Sequence, residues 1–278
     1  MTSPLKFATF LINLDEDEDR LAWMAGQLQA LGLAFTRFPA VRGNALPLFL
    51  VDWFPAPGGE TRLKPGEIGC YASHLAVHRA FLADATLDAA LVLEDDLAFA
   101  AVFGPLVEAF PRLPEGWDIV RLSNRAKAAY LGLGEIVPGA ELIKYSRVPN
   151  NTGAYLISRS GAEKMAVFRG RKVWQIDEDM RRPWDFDLRT YGIMPPPIRS
   201  NIFDTSTIER FGGRGLKKEG RLAKLKRRRR LGLAAWKRRI SWQIGFLGLG
   251  GWLRCVAEQP YRKIAERVVG VASRLGSR

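Results

Sequence analysis

The segment Leu91-Val-Leu-Glu-Asp-Asp-Leu97 constrains the fold of this chain more than any other. It continues an apolar run from Ala89, and a short run without a polar side reads as a strand covered on both faces. Such a strand needs helices above and below it, which asks for an α/β architecture. The run then ends in three carboxylates. Alternation along a strand points Glu94 and Asp96 one way and Asp95 the other. Acidic groups crowded at the end of a buried strand repel one another and lose hydration. A hard divalent cation, Mg²⁺ or Mn²⁺, removes that penalty, because it takes oxygen ligands and bridges carboxylates to substrate phosphates. The carboxyl end of a strand is also where open α/β sheets bind ligands. The competing reading is a solvated acidic turn.

The rest of the body supports a layered α/β fold. Phe7–Leu14 reads as a first buried strand. Leu21, Met24, Leu28 and Leu31 then recur at helical spacing, and Gly32 sits where a helix would stop. With a second strand at Ala34–Val41 this is a βαβ opening, which favours a mostly parallel sheet. Asn44–Gly66, broken by Pro55, Pro57, Gly58 and Gly59, reads as a long loop or lid. Further expectations are a helix over Glu67–Ala83, strands at Trp117–Leu122 and Ala154–Ser158, a short helix at Ser160–Phe168 and extended chain at Tyr191–Ile198.

The 278 residues suffice for one large domain or two smaller ones. Two cysteines, Cys70 and Cys255, allow neither a disulfide framework nor a four-cysteine zinc site, and point to a reducing compartment. The net charge of +13 is unevenly spread. Residues 210–278 hold 20 Lys and Arg against 3 Asp and Glu, whereas residues 1–209 hold 22 against 26. The division expected is a body over 1–209 and a basic helical tail over 210–278, with a boundary near Phe211–Gly215. The tail calls for an anionic partner. Lys226, Arg227, Arg228, Arg229 and Arg230 form a cationic run, followed by Lys237, Arg238 and Arg239. Leu233, Trp236, Ile240, Ile244 and Leu247 share a helical stripe, with Trp242 and Phe246 off it. Cations beside Trp236 and Trp242 suit an interfacial helix on an anionic leaflet better than nucleic acid. The uncharged stretch Ile240–Leu253 has 14 residues, short of the roughly 18–20 that a span requires. No secretory signal is apparent, so the expected location is cytoplasmic, peripheral on the inner face of the cytoplasmic membrane.

His74 and His78 are the chain's two histidines and share a helix face. The spacing is that of zinc proteases, but Leu75 stands where that motif has its glutamate.

Three ordered segments resemble glycosyltransferase family 25: Phe10-Leu-Ile-Asn-Leu-Asp15 with Arg20, Leu63-Lys-Pro-Gly-Glu-Ile-Gly-Cys-Tyr-Ala-Ser-His-Leu75, and Leu91-Val-Leu-Glu-Asp-Asp96. Weaker similarity continues through Asn151–Ser158, Gln175–Asp177 and Tyr191–Pro196. The resemblance implies a GT-A-like domain, a UDP-sugar donor (UDP-galactose or UDP-glucose), Mn²⁺ or Mg²⁺, inversion at the sugar carbon and a glycan acceptor, lipooligosaccharide or another lipid-linked saccharide. It places Glu94 and Asp96 on the metal, and Asn13, Arg20, Ser73, His74 and Asp95 around the donor. The acceptor hydroxyl also needs a base. If Gln175–Asp179 were extended, Asp177 and Asp179 would share a side; Asp177 is the first choice and Asp179 the second. The competing functional readings are a basic membrane- or nucleic-acid-binding protein without activity, and a metal-dependent nucleotidyltransferase that releases pyrophosphate.

Overall fold

The computed structural model describes residues 4–55, 63–123, 126, 128–200, 202–203 and 232–259. In chain order the elements are β1 (Phe7–Asn13), α1 (Glu18–Ala30), β2 (Thr36–Pro39), α2 (Pro65–Ala83), β3 (Ala89–Leu93), β4 (Leu97–Phe99) and α3 (Phe103–Glu108). Then come β5 (Ile119–Arg121), β6 (Tyr130–Val137), β7 (Ala140–Tyr145), β8 (Ala154–Ser158), α4 (Arg159–Ala166), α5 (Ile176–Met180) and α6 (Pro183–Phe186). The last are β9 (Thr190–Met194), β10 (Ile198–Ser200) and α7 (Gly232–Leu247).

The βαβ opening is as the periodicity predicts. Met24 and Leu28 of α1 are buried, and Gly32 takes a positive φ of 65° just beyond the helix end. The strand β1 lies parallel to both β2 and β3. The eight-stranded sheet has the order β2-β1-β3-β8-β5-β9-β7-β6. It is mixed, which corrects the expectation of a mostly parallel sheet. β8 runs antiparallel to β3 and β5, β7 is antiparallel to β9, and β6 pairs with β7 as a hairpin. The pair β5–β9 is parallel again. A strand buried on both faces looks the same in sequence whichever way its neighbour runs, so direction is not readable from the apolar runs.

Alternation divides the core between the two faces of the sheet. Leu91 and Leu93 of β3, with Ala154 and Leu156 of β8, face α1, α3 and α7. Ala90 and Val92 of β3, with Tyr155 and Ile157 of β8, face α2, α4, α5 and α6. β3 is buried along its whole length.

The start of α2 is pressed against the chain that follows β2. A Cβ on Gly69 would lie 2.4 Å from the Val41 carbonyl oxygen, and one on Gly43 would lie 1.9 Å from that of Pro65. Two bare glycines therefore let two backbones meet. The Ser73 hydroxyl reinforces this contact by donating to the Gly69 carbonyl at 2.7 Å and accepting from the Val41 N–H at 2.8 Å. This junction fixes one wall of the cleft described below.

Residues 232–259 are not a detached tail. Phe246, Leu247 and Cys255 belong to the same buried cluster as the sheet. Lys144 on β7 donates to the Phe246 carbonyl at 2.8 Å, and the Ala129 N–H donates to Gln259 at 3.0 Å. Trp242 is corrected from a membrane-facing residue to a packing one. Its ring stacks on Phe246 at 5.1 Å, meets Trp184 at 6.2 Å, and its N–H donates to the Leu188 carbonyl at 3.0 Å. Arg239 lies over Trp184, and Arg238 reaches Asp185 at 3.4 Å. The docked face of α7 is thus centred on Trp242 and Phe246, off the predicted stripe, while Trp236 remains 57% exposed. Lys226, Arg227, Arg228, Arg229, Arg230 and the boundary near 211–215 lie outside the described residues. Among the described residues no helix is long and apolar enough to cross a membrane.

Candidate active site

A cleft of about 830 Å³ opens where β1 and β3 end, within the roughly 300–1,000 Å³ typical of small-molecule sites. Because β1 and β3 are parallel, Asn13 and Glu94 emerge on the same side. Antiparallel β8 brings the residue that leads into it, Thr152, to that side too. The first half of α2, the chain at 40–44 and α5 complete the walls.

The acidic strand end divides as alternation requires. Glu94 and Asp96 are partly exposed in the cleft, whereas Asp95 is 9% exposed and turned inward. Asp95 accepts from Asn13 Nδ2 at 2.8 Å and from Arg20 at 3.2 Å. Asn13 also accepts from Arg37 at 3.0 Å. The Asn13–Asp95–Arg20 group is therefore a buried brace within the cleft wall, tied together by hydrogen bonds inside the protein. Burial pushes the Asp95 carboxyl above its ordinary pKa, against the pull of Asn13 and Arg20.

Glu94 is held by a chain of side chains that the sequence does not show. Thr152 donates to Glu94 Oε1 at 3.2 Å, and His74 Nε2 lies 3.3 Å from the same oxygen. A carboxylate only accepts, so Nε2 carries a proton; in the neutral ring His74 Nδ1 then accepts from the Tyr155 hydroxyl, 2.9 Å away. The Tyr155 oxygen in turn lies 2.8 Å from His78 Nε2. Burial and the neighbouring His74 imidazole push the His78 pKa down to about 3, so His78 is neutral. Burial alone would raise the Glu94 carboxyl, but the hydrogen bonds from His74 and Thr152 and the charge of Arg121 outweigh it. Glu94 stays below its ordinary pKa and ionised. The helical spacing of the two histidines thus serves one tyrosine, not a protease zinc.

Asp177 lies in the cleft, on α5. Its Oδ1 is buried and makes no hydrogen bond. Burial, then Glu178, raises its pKa above the ordinary aspartate value, as a proton acceptor requires. Asp179 is corrected from a candidate base to a structural residue. Residues 176–180 form a helix, not an extended segment, so positions two apart point to nearly opposite sides. Asp179 accepts from the Tyr71 hydroxyl at 2.9 Å and pairs with Arg182 and with buried Lys172. Ser73, engaged at the α2 junction, shapes the wall and has no remaining donor to offer a ligand.

Glu94 and Asp96 are oxygen donors of the kind Mn²⁺ and Mg²⁺ take, so the cleft fits a hard divalent cation. Beside them, Cys70, His74 and Glu94 bring one donor atom each within 4.8 Å of one another. Neither Cys70 nor Tyr155 is among the site residues that the sequence motifs single out. Cys70 lies one turn before His74, a spacing that pairs the two on one helix face; Tyr155, 81 residues further on, carries no such signal.

A model of "Glycosyltransferase family 25 (LPS biosynthesis protein)" matches residues 7–180. Among curated proteins, procollagen galactosyltransferase 1-B of Xenopus laevis is 30% identical over 168 residues, and a glycosyltransferase 25 family member of Aedes aegypti is 29% identical over 167. Each match covers 56% of this chain but 27% of the relative, so the chain spans about a quarter of the length of these relatives. Among solved structures, a Drosophila β1,4-galactosyltransferase 7 mutant in complex with manganese, UDP-Gal and xylobiose aligns over 80% of either chain at 12% identity. Its TM-score of 0.40 is too low to bear on the fold.

Proposed function

Because the chain belongs to glycosyltransferase family 25, we propose that it moves a hexose, galactose or glucose, from a UDP-sugar to a saccharide hydroxyl, with inversion at the sugar carbon. The observation that carries this reading is one cleft lined by two partly exposed carboxylates, Glu94 and Asp96, and by a third of raised pKa, Asp177.

In the proposed reaction the acceptor oxygen bonds to the anomeric carbon as that carbon's bond to the β-phosphate oxygen breaks. The hydroxyl proton passes to Asp177, and UDP leaves with the bonding electrons. A Mn²⁺ or Mg²⁺ ion held by Glu94 and Asp96 would supply charge neutralisation for the departing diphosphate. His74 and Thr152 keep Glu94 ionised and aimed. The Asn13–Asp95–Arg20 brace holds the end of β1 beside the end of β3, which sets the donor wall.

The test is a panel of UDP-sugars assayed for metal-stimulated UDP release. One hexose donor should respond to Mn²⁺ or Mg²⁺, lose the response on chelation, and lose it in Asp96→Asn. Release of pyrophosphate from an NTP would indicate nucleotidyl transfer instead. Calorimetry that shows no metal-dependent UDP binding would leave no enzyme reading.

The acceptor in this reading is a lipid-linked glycan met at an anionic leaflet, with the protein peripheral on the inner face of the cytoplasmic membrane. Support comes from the basic run at 226–230 and from exposed Trp236 and Lys237 on α7. Replacing Lys226, Arg227, Arg228, Arg229 and Arg230 with Ser should abolish sedimentation of the full chain with phosphatidylglycerol vesicles at low salt. Unchanged sedimentation would remove the run from membrane contact.

A further inference from the structure

Cys70 and His74 stand one turn apart on α2 and share a face, toward Glu94 at the end of β3. Among the described residues these three form a group of three donors close enough together to hold one metal ion. The sugar-transfer reading uses the carboxylates and a hard ion; it has no use for a thiol. We propose that Cys70, His74 and Glu94 form a site for a borderline divalent transition cation, Zn²⁺ or Co²⁺, which adjoins the oxygen-donor pair and shares Glu94 with it. This inference stands on the ligand geometry and does not depend on sugar transfer.

Three observations support it. The first is spacing: His74 Nε2 and Glu94 Oε1 are 3.3 Å apart, close to the edge of roughly 3.4 Å expected between nitrogen and oxygen ligands on tetrahedral zinc. The second is orientation. A ligating histidine normally has its other ring nitrogen fixed by a hydrogen-bond partner, and here Tyr155 fixes Nδ1 at 2.9 Å and leaves Nε2 toward Glu94. On metal binding Nε2 gives its lone pair to the cation and the ring proton sits on Nδ1, which then donates to the Tyr155 oxygen, while the Tyr155 hydroxyl proton turns to His78 Nε2, whose own proton then sits on Nδ1. The third is charge. Glu94, Asp177, Glu67 and Asp96 line the same cleft as Cys70. The same four carboxylates draw a divalent cation to this spot, and binding releases the thiol proton to solvent. Thiolate and imidazole ligands favour Zn²⁺ and Co²⁺ over Mg²⁺. With three protein ligands the fourth position faces the cleft. Since one carboxylate cannot serve both ions fully, Zn²⁺ bound here should compete with the hard cation.

The test is titration of the full chain with Co²⁺ alone, read by absorption. Stoichiometric binding with a thiolate-to-cobalt charge-transfer band is expected. The band should be absent in Cys70→Ser, retained in Cys255→Ser, and removed by equimolar Zn²⁺ but not by excess Mg²⁺. Tyr155→Phe should weaken Co²⁺ binding about 10–100-fold through loss of the group that orients His74. Cobalt bound without the band, a band that survives Cys70→Ser, or no stoichiometric binding by the folded chain would each overturn the proposal. The spectrum is indifferent to turnover, so a positive result with no UDP binding would sink the transfer reading alone.

Discussion

Asp177→Asn is expected to slow sugar transfer by about 10²–10⁴-fold, the range for loss of a general base, with UDP affinity essentially unchanged. Asparagine keeps the shape of the side chain and the fold of α5 but cannot accept the acceptor's proton. The donor should still bind, because the groups proposed to hold the cation that neutralises its diphosphate, Glu94 and Asp96, lie between β3 and β4 and not on α5. Acidity gives a second readout. Burial places the Asp177 pKa above the ordinary aspartate value of 3.8. The base works only when ionised, so kcat should fall as pH drops through that raised value. The acid limb should vanish in the residual activity of Asp177→Asn. Transfer at full rate in this variant would move the base elsewhere; loss of UDP affinity would mean that Asp177 holds the donor.

The parts of this site that are legible in the sequence are those where one strand or one helix dictates geometry. The run Ala89–Leu93 with its acidic end is long enough to show strand burial, and alternation then separates Asp95 from Glu94 and Asp96. The opening helix is legible because four apolar positions and a terminal glycine agree. Asp179 is misread because α5 is five residues long, too short to display a helical period against an alternating charge pattern. The β6–β7 hairpin goes unseen because Gly132 and Gly134 interrupt its apolar alternation. In α7 the buried face is not centred on the most apolar stripe. The sheet end makes room for Trp242 and Phe246, a tertiary choice that periodicity does not report. Relations across the sheet are the least legible. Tyr155 belongs to the site only because β8 lies beside β3 in antiparallel register, opposite Val92.

Asp95→Ala tests the relation between β1 and β3 most severely. We expect a loss of about 3–5 kcal/mol, the usual cost of removing one partner from a buried ion pair. Arg20 has a side chain 7% exposed and that of Asp95 is 12% exposed, so water cannot readily take the place of the lost carboxylate. Asn13 would lose the acceptor of its 2.8 Å bond in the same step. Asp95→Asn should recover part of this loss, not all. The two carboxylate oxygens accept from two different donors, Asn13 and Arg20, and an amide offers one oxygen and one NH₂ in those places. A domain's whole stability is about 5–15 kcal/mol, so the alanine variant should show a much lower urea midpoint at unchanged slope. A midpoint within experimental error of the parent would show that the brace adds nothing. Should the folded fraction of Asp95→Asn also bind UDP more weakly, the brace would be setting the distance between the ends of β1 and β3 on which the cleft depends.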